Sequence, residues 1–382
     1  MTTQTWRFGG LDTWFFRESR PHERIGGTEL ASIFPPPART LIGAMRTAVG
    51  EGMGVDWHRL EADGAVRAII GFGDEDLGSL NFGGPWVHHA GMRYYPLPLT
   101  ILVKPQPNAG ARMGPSYEMR RLALGPGSPC DLGEDIRMPT LPKGCDPGFT
   151  PLSPAWVNAD GLRRILDGGT PEQSHLLELD ALFREEPRLG IARDYVQRTA
   201  LKSRLYQTRH LRLDADTALE MDVTGIPDDV TPVPMIKLGG EGRLATIKID
   251  PIHPPPPDLP EFQPGDGVLI YLLTPADFGA TTPTQPFGTL PTNVLAMGLT
   301  QQGAVIGKAH REGGWDLAQN CPRPMRSLIP AGSAWYCSVN GDPAAVAKAL
   351  NDIAIGNDTK LGRGQIAVGR WPANENVVEN PK

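Results

Sequence analysis

Between Glu186 and Leu213 the chain reads EPRLGIARDYVQRTALKSRLYQTRHLRL. Arg188, Arg193, Arg198, Lys202, Arg204, Arg209 and Arg212 stand there against only Glu186 and Asp194. A guanidinium fork donates two hydrogen bonds at once to a phosphate. Tyr195 and Tyr206 supply ring faces on which unpaired bases stack, at about 1–3 kcal/mol per base. The whole chain carries a formal charge of -6, so this local excess points to an anionic polymer more than to an ordinary solvated face. Two glycine stretches fit the same chemistry, KLGGEGRLA from Lys237 and KLGRGQIAVG from Lys360. Gly239, Gly240 and Gly242 in the first, with Gly362 and Gly364 in the second, let backbone N–H groups approach one phosphate without a Cβ in the way. Arg243 and Arg363 add charge at the same places, although each stretch alone also fits a plain hairpin turn. Their shared Lys-Leu-Gly followed by an apolar strand raises an internal duplication as one reading and coincidence as the other.

Catalytic patterns are sparse. HExxH, G-x-S-x-G and EF-hand patterns do not occur. Gly307-Lys308 is followed by Ala309, which lacks the hydroxyl that a phosphate-binding loop uses to hold magnesium. GDEDLG at 73–78 reads as an acidic turn, and the adjacent His88 and His89 point to opposite faces of a strand. His22 lies among Arg17, Arg20 and Arg24, where it could serve as a general acid or base in RNA cleavage. Phosphate or solvent contact is the plainer reading of it, and no second catalytic partner stands out. Cys130, Cys145, Cys321 and Cys337 form no CxxC pair and no zinc spacing. Free thiols in a reducing cytoplasm are expected, with no cofactor and no metal.

The elements that must position these groups are short. At 382 residues two domains are expected, and 45 glycines with 39 prolines imply many turns. A strand is expected over Thr5–Phe16, kinked at Gly9 and Gly10. A helix follows FPPPAR, with Leu41, Ile42, Met45 and Val49 at helical spacing. Strands and hairpins are expected from Val66 to Val103, and an irregular insertion near 104–153. SPAWVNADGLRRILDG reads as a helix ending near Gly168. The basic segment reads as an irregular loop anchored by Ile191, Tyr195, Leu201, Leu205 and Tyr206, then a strand. DPAAVAKALNDIA reads as a helix capped by Asp342. The fold class is α+β with mainly antiparallel sheets. Neither a signal peptide nor a membrane span is visible.

Taken together, GGLDTWFFRESRP, FPPPARTLIGAMR, EPRLGIARDYVQRTALKSRLY, KLGGEGRLA and RPMRSLIPAGSAWY resemble, in this order, the third subunit of the type III-B CRISPR effector, the Cmr complex. That family belongs to the repeat-associated mysterious protein superfamily. The resemblance runs from Phe8 to Gly369, with none of it in 104–150. It implies two ferredoxin-like domains of the RNA-recognition type, placed at 1–213 and 214–382. It further implies a non-catalytic cytoplasmic subunit that holds the 5′ repeat-derived tag of the guide RNA. The implied protein partners are the large polymerase-palm subunit and a neighbouring superfamily backbone subunit. The RNA-contacting set then comprises Arg17, Arg20, His22, Arg39, Arg188, Arg193, Arg198, Lys202, Arg204, Gly239, Gly240, Gly242, Arg243, Gly362, Arg363 and Gly364. A guide-processing endoribonuclease of the same superfamily and a purely structural adaptor are the competing readings.

Overall fold

The structure, a computed structural model, describes residues 3–17, 29–73, 75–106, 116–130, 133–194, 196–250, 254, 257–279, 287–316, 320–351 and 353–372. Arg20 and His22 lie outside them, as does Tyr195. The backbones of Arg193, Lys202 and Arg204 are described without their side chains.

Two main sheets organise the chain. The first contains β1 (Gln4–Gly10), β2 (Asn81–His89), β3 (Met92–Pro96), β4 (Ala155–Asn158), β7 (Thr217–Thr224), β8 (Met235–Lys237) and β9 (Leu244–Asp250). Its order is β4-β3-β2-β7-β1-β9-β8, with the short strand Leu176–Glu178 outside β4. Between β4 and β7 in the chain, β5 (Phe183–Arg193) and β6 (Ala200–Leu213) form a separate antiparallel hairpin. The second sheet contains β10 (Gly267–Leu272), β11 (Leu299–Val305), β12 (Ala334–Val339) and β13 (Ile366–Trp371), in the order β11-β12-β10-β13. In each sheet four strands repeat one antiparallel pattern. The first strand in the chain is flanked by the third and the last, and the second lies beyond the third.

The helices follow from local sequence. α1 (Ala38–Gly52) starts after Pro37, whose fixed φ suits helix entry, and buries Leu41, Ile42, Met45, Ala48 and Val49. These side chains share a core with Trp6, Phe8, Leu219 and Met221 of the first sheet. α2 (Gly64–Ile70) was not apparent in the periodicity; Asp63 caps it by accepting from the Val66 amide. The segment expected as one helix ending near Gly168 is a strand followed by a helix. Ala155, Trp156 and Val157 are buried in the sheet as β4. Asn158 then caps α3 (Ala159–Leu166) by accepting from the Gly161 amide at 2.9 Å. α4 (Pro343–Asn351) begins where expected, with the Asp342 carboxylate accepting from the Ala344 amide at 3.0 Å.

Two further expectations change. Residues 104–153 hold regular pairings: Ile101–Gln106 with Ser116–Arg121, and Ala123–Cys130 with Gly133–Thr140. Much of this arm is half-buried or exposed, so its strands lack the strong polar and apolar alternation of a half-buried sheet. The expected boundary at 213 also shifts, because β7, β8 and β9 hydrogen-bond into the first sheet and the second begins at Gly267. The halves share a core in which Leu162, Ile165 and Leu166 of α3 meet Trp86, Tyr95, Tyr271 and Ala367. At Gly369 of β13 an added Cβ would lie 3.0 Å from the Leu166 Cα, so helix and strand press backbone to backbone.

Candidate RNA-binding face

The basic segment is a hairpin, not an irregular loop. Glu186 pairs with His210, Arg188 with Thr208, Gly190 with Tyr206 and Ile191 with Leu205. Paired residues share a face, so Arg184, Glu186, Arg188, Tyr206, Thr208, His210 and Arg212 lie on one side. Leu189, Ile191 and Leu205 lie on the other, exposed by 74%, 49% and 52%. Ile191 and Leu205 are therefore not anchors; among the described side chains of β6, Thr208, His210 and Leu211 are buried. Tyr206 keeps 38% of its surface exposed and lies across Gly190, where a Cβ would be 2.2 Å from the ring.

The charged face of the hairpin base packs against two other segments. Trp14 and Leu211 exchange backbone hydrogen bonds of 2.8 Å, fixing the loop after β1. The Gly240 amide donates to the Phe15 carbonyl at 2.8 Å, fixing the glycine turn between β8 and β9. Charges gather where the three meet. Asp12 accepts from Arg188 at 3.3 Å, from Arg212 at 3.1 Å and from Arg243 at 3.0 Å. Glu186 accepts from Arg188 at 2.7 Å and from Arg212 at 2.6 Å. Partial desolvation opposes ionisation of Asp12, but Arg188 and then Arg212 outweigh it and hold the carboxyl below its ordinary range. Arg212 and then Arg188 do the same for Glu186. The cluster stays open to solvent: Asp12 is 46% and Arg212 50% exposed.

Beneath it His210 is fully buried, stacked on Phe15 at 5.2 Å, with Nδ1 3.1 Å from the Thr13 hydroxyl. Its Nε2 is 3.4 Å from Glu241. Desolvation, then the charge of Arg188, pushes the imidazole pKa down, so the ring is neutral and this contact is not an ion pair at neutral pH. In the turn, Glu241 and Gly242 have φ of 58° and 64°, and open space surrounds the position a Gly242 Cβ would take. Gly239 and Gly240 instead press on Phe15 and Phe16.

The second glycine turn stands in the equivalent topological place, just before the last strand of its sheet, but it faces inward. The Gly362 amide donates to the Thr359 carbonyl and the Gly364 amide to the Pro275 carbonyl. A Gly364 Cβ would fall 1.8 Å from the Ile355 oxygen. Arg363 is 4% exposed and held by Glu312 and Asp358. Arg39 approaches the same two carboxylates at 3.5 and 3.8 Å. The open phosphate cradle expected at Gly362, Arg363 and Gly364 is thus an interior joint, because packing has taken up these amides and charges. A cavity of about 710 Å³ opens beside it, with Arg39, Arg323, Arg326, Glu312 and Asp316 in its lining. Arg17 is exposed, and Arg198 is exposed at the hairpin tip.

Among the described residues, the central strands of the first sheet offer no exposed aromatic platform of the kind that stacks bases in RNA-recognition domains; Trp86 shares the face of Glu220 but is buried. The face opposite Trp6 and Phe8 carries Thr5, Arg7, Glu220 and Asp222, which bond to one another and to Arg93. Asp12 and Glu241 belong to the hairpin cluster although no sequence pattern singles them out, and Arg212, one of the seven cations of the basic segment, joins them there. The phosphate-directed reading selects cations and glycines, and it passes over the carboxylates that hold them.

An α+β chain of paired antiparallel sheets with a basic hairpin at one end has the makings of a nucleic-acid-binding protein. Over residues 6–371 the chain matches the family described as CRISPR-associated protein (Cas_Cmr3), and it belongs to that family. The family is a superfamily subunit of the type III-B Cmr effector complex, and its members are RNA-binding and not catalytic. Similar solved chains include one in the type III-B Cmr-beta complex bound to cognate target RNA and AMPPnP, at 14% identity and a TM-score of 0.47. The alignment covers 96% of this chain and 99% of that one. A chain of the same complex bound to cognate target RNA gives 15% identity and a TM-score of 0.47, covering 95% and 96%. A chain of the Csm3-Csm4 subcomplex from the type III-A interference complex gives 9% identity and a TM-score of 0.38, covering 90% and 94%. No curated protein matches. Among the described residues, no helix is long and apolar enough to cross a membrane.

Proposed function

We propose that this chain holds the 5′ repeat-derived tag of the guide RNA along the charged face of the β5–β6 hairpin. The carrying observation is the convergence of Arg188, Arg212 and Arg243 at a solvent-open point beside the glycine turn. Tyr206 lies two positions further along the same face as Arg188 and offers a half-exposed ring for a base. The proposed contact set also takes in Arg17, Arg193, Arg198, Lys202 and Arg204, together with Arg20 and His22, which lie outside the described residues. Gly239, Gly240 and Gly242 shape the turn that carries Arg243. Arg39 and the second glycine turn are left outside this contact set, since their charges and amides are engaged internally. Each half is a ferredoxin-like unit in this reading, a reading supported by the shared strand order.

The opposite face of the hairpin suits protein contact. Leu189, Ile191 and Leu205 on one side of a paired ribbon are more apolar surface than a solvated hairpin needs. The large polymerase-palm subunit or the neighbouring backbone subunit would cover it in a cytoplasmic complex. Replacing Arg193, Arg198 and Arg204 together by alanine should weaken guide RNA binding by the assembled complex. The salt dependence of binding should become shallower, by about 0.7 in slope for each phosphate no longer held. An unchanged slope in a folded triple variant would remove the hairpin from the RNA path.

A further inference from the structure

Asp12 holds a position that an RNA phosphate would be expected to hold. Its two carboxylate oxygens take one hydrogen bond from each of three arginines on three separate segments: Arg188 on β5, Arg212 on β6 and Arg243 after the glycine turn. A phosphodiester also carries a single negative charge shared by two non-bridging oxygens, so the same three donors suit it without rearrangement. Asp12 itself sits in a bend beyond the end of β1, outside any strand or helix. Almost half of its side-chain surface faces solvent. The space next to Gly242 is also open, so a phosphate can approach from the side of the turn.

Glu186 differs in kind. It lies on the hairpin itself, bonds the two arginines of its own ribbon, and would stay with them whether or not an anion is bound. Among the described residues, removing Asp12 leaves Arg188 and Arg212 with Glu186, and Arg243 with Glu241 at 3.9 Å. The site then carries an excess positive charge at its outer edge.

We propose that Asp12 is a built-in competitor: its carboxylate occupies the anion position formed by Arg188, Arg212 and Arg243 and must swing aside when an RNA phosphate binds there. This rests on the reading of the hairpin as the RNA-binding face and assigns that face a regulated phosphate subsite. Such an occupant lowers affinity for stray RNA, while a ligand with many other contacts can displace it. Exposed ion pairs are individually weak, which limits the effect to a modest factor.

The test titrates the full chain with a labelled single-stranded RNA of mixed sequence at fixed salt. Asp12→Asn keeps the size and the turn-forming side chain but removes the charge; Asp12→Ser serves as a second variant should the first melt early. The expected result is roughly three- to tenfold tighter RNA binding, a range set by the weakness of exposed ion pairs. Adding Arg243→Ala to Asp12→Asn should cancel the gain. If Asp12→Asn binds as the parent does, or more weakly, while Arg188→Ala and Arg243→Ala each weaken binding, the competitor is overturned and the RNA-binding face stands. If none of these folded variants changes binding, the arginine cluster is not an RNA site and both readings fall.

Discussion

At Gly242 and Gly364 the backbone adopts the same left-handed conformation, with φ of 64° and 68°, in opposite surroundings. Alanine at Gly242 meets no neighbour within 4 Å, so its cost is backbone strain alone, about 1–2 kcal/mol. At Gly364 the same methyl group would overlap the Ile355 carbonyl oxygen, 1.8 Å away, and the turn must break. Thermal melts should show Gly242→Ala folded with a modest drop and Gly364→Ala strongly destabilised or insoluble. Equal effects would mean the two turns are equally packed. The glycines themselves were legible as turns. Which one faced solvent was not, because that depends on Ile355, Pro275 and Glu312, which the turn meets only after folding.

Protonation also acts at single residues. Desolvation is the largest cause lowering the pKa of His88, His210 and His310. Their folded values lie below the ordinary value of about 6.5, so the unfolded chain binds protons first as pH falls. Stability from these groups is present above about pH 6.5 and is lost as pH drops from there toward the folded values. Melting temperature should therefore decline between about pH 7 and pH 5, and His210→Gln should shallow that decline. A melting temperature that rises on acidification would contradict the burial of neutral imidazoles.

Among the elements, the hairpin shows how far pattern alone reaches. Seven cations among 28 residues made its charge plain, but its pairing was hidden by the arginines and glycine that interrupt the apolar alternation. Asp12 escaped notice for a different reason: it stands 176 positions from Arg188, and nothing in either local stretch points to the other. The same limit applied to 155–166, where buried Trp156 and Val157 suit a helix or a strand equally until the sheet claims them. Burial along the hairpin yields a contrast that can be measured. Leu189→Ser with Ile191→Ser should change stability by no more than about 0.5 kcal/mol each, as exposed sites do. Leu211→Ala, at a fully packed position, should cost about 2–5 kcal/mol. A large loss from the first pair in the isolated chain would show that the apolar face is already covered within it.

For the molecule as a whole, the proposed RNA path would set one basic hairpin in an acidic chain and so keep indiscriminate RNA binding low. Net charge keeps long-range attraction to nucleic acid low, and the local cluster acts only at contact distance. The α3 helix locks the two halves through Leu162, Ile165 and Leu166, and the hairpin base packs Phe183 and Leu211 into the core of the first sheet. The α+β class was legible from strand periodicity and turn density. The boundary between halves was not, because strands returning to the first sheet after the hairpin look like the start of something new until their pairing is known.

The central claim is that guide RNA runs along the hairpin and the first glycine turn, and this can be measured directly by ultraviolet crosslinking. Guide RNA in the assembled complex would be crosslinked, and the attached peptides of this chain identified by mass spectrometry. The account predicts crosslinks within residues 184–213, Tyr206 among them, and within residues 237–244. Crosslinks confined to the second turn at residues 360–365, or none to this chain at all, would contradict it.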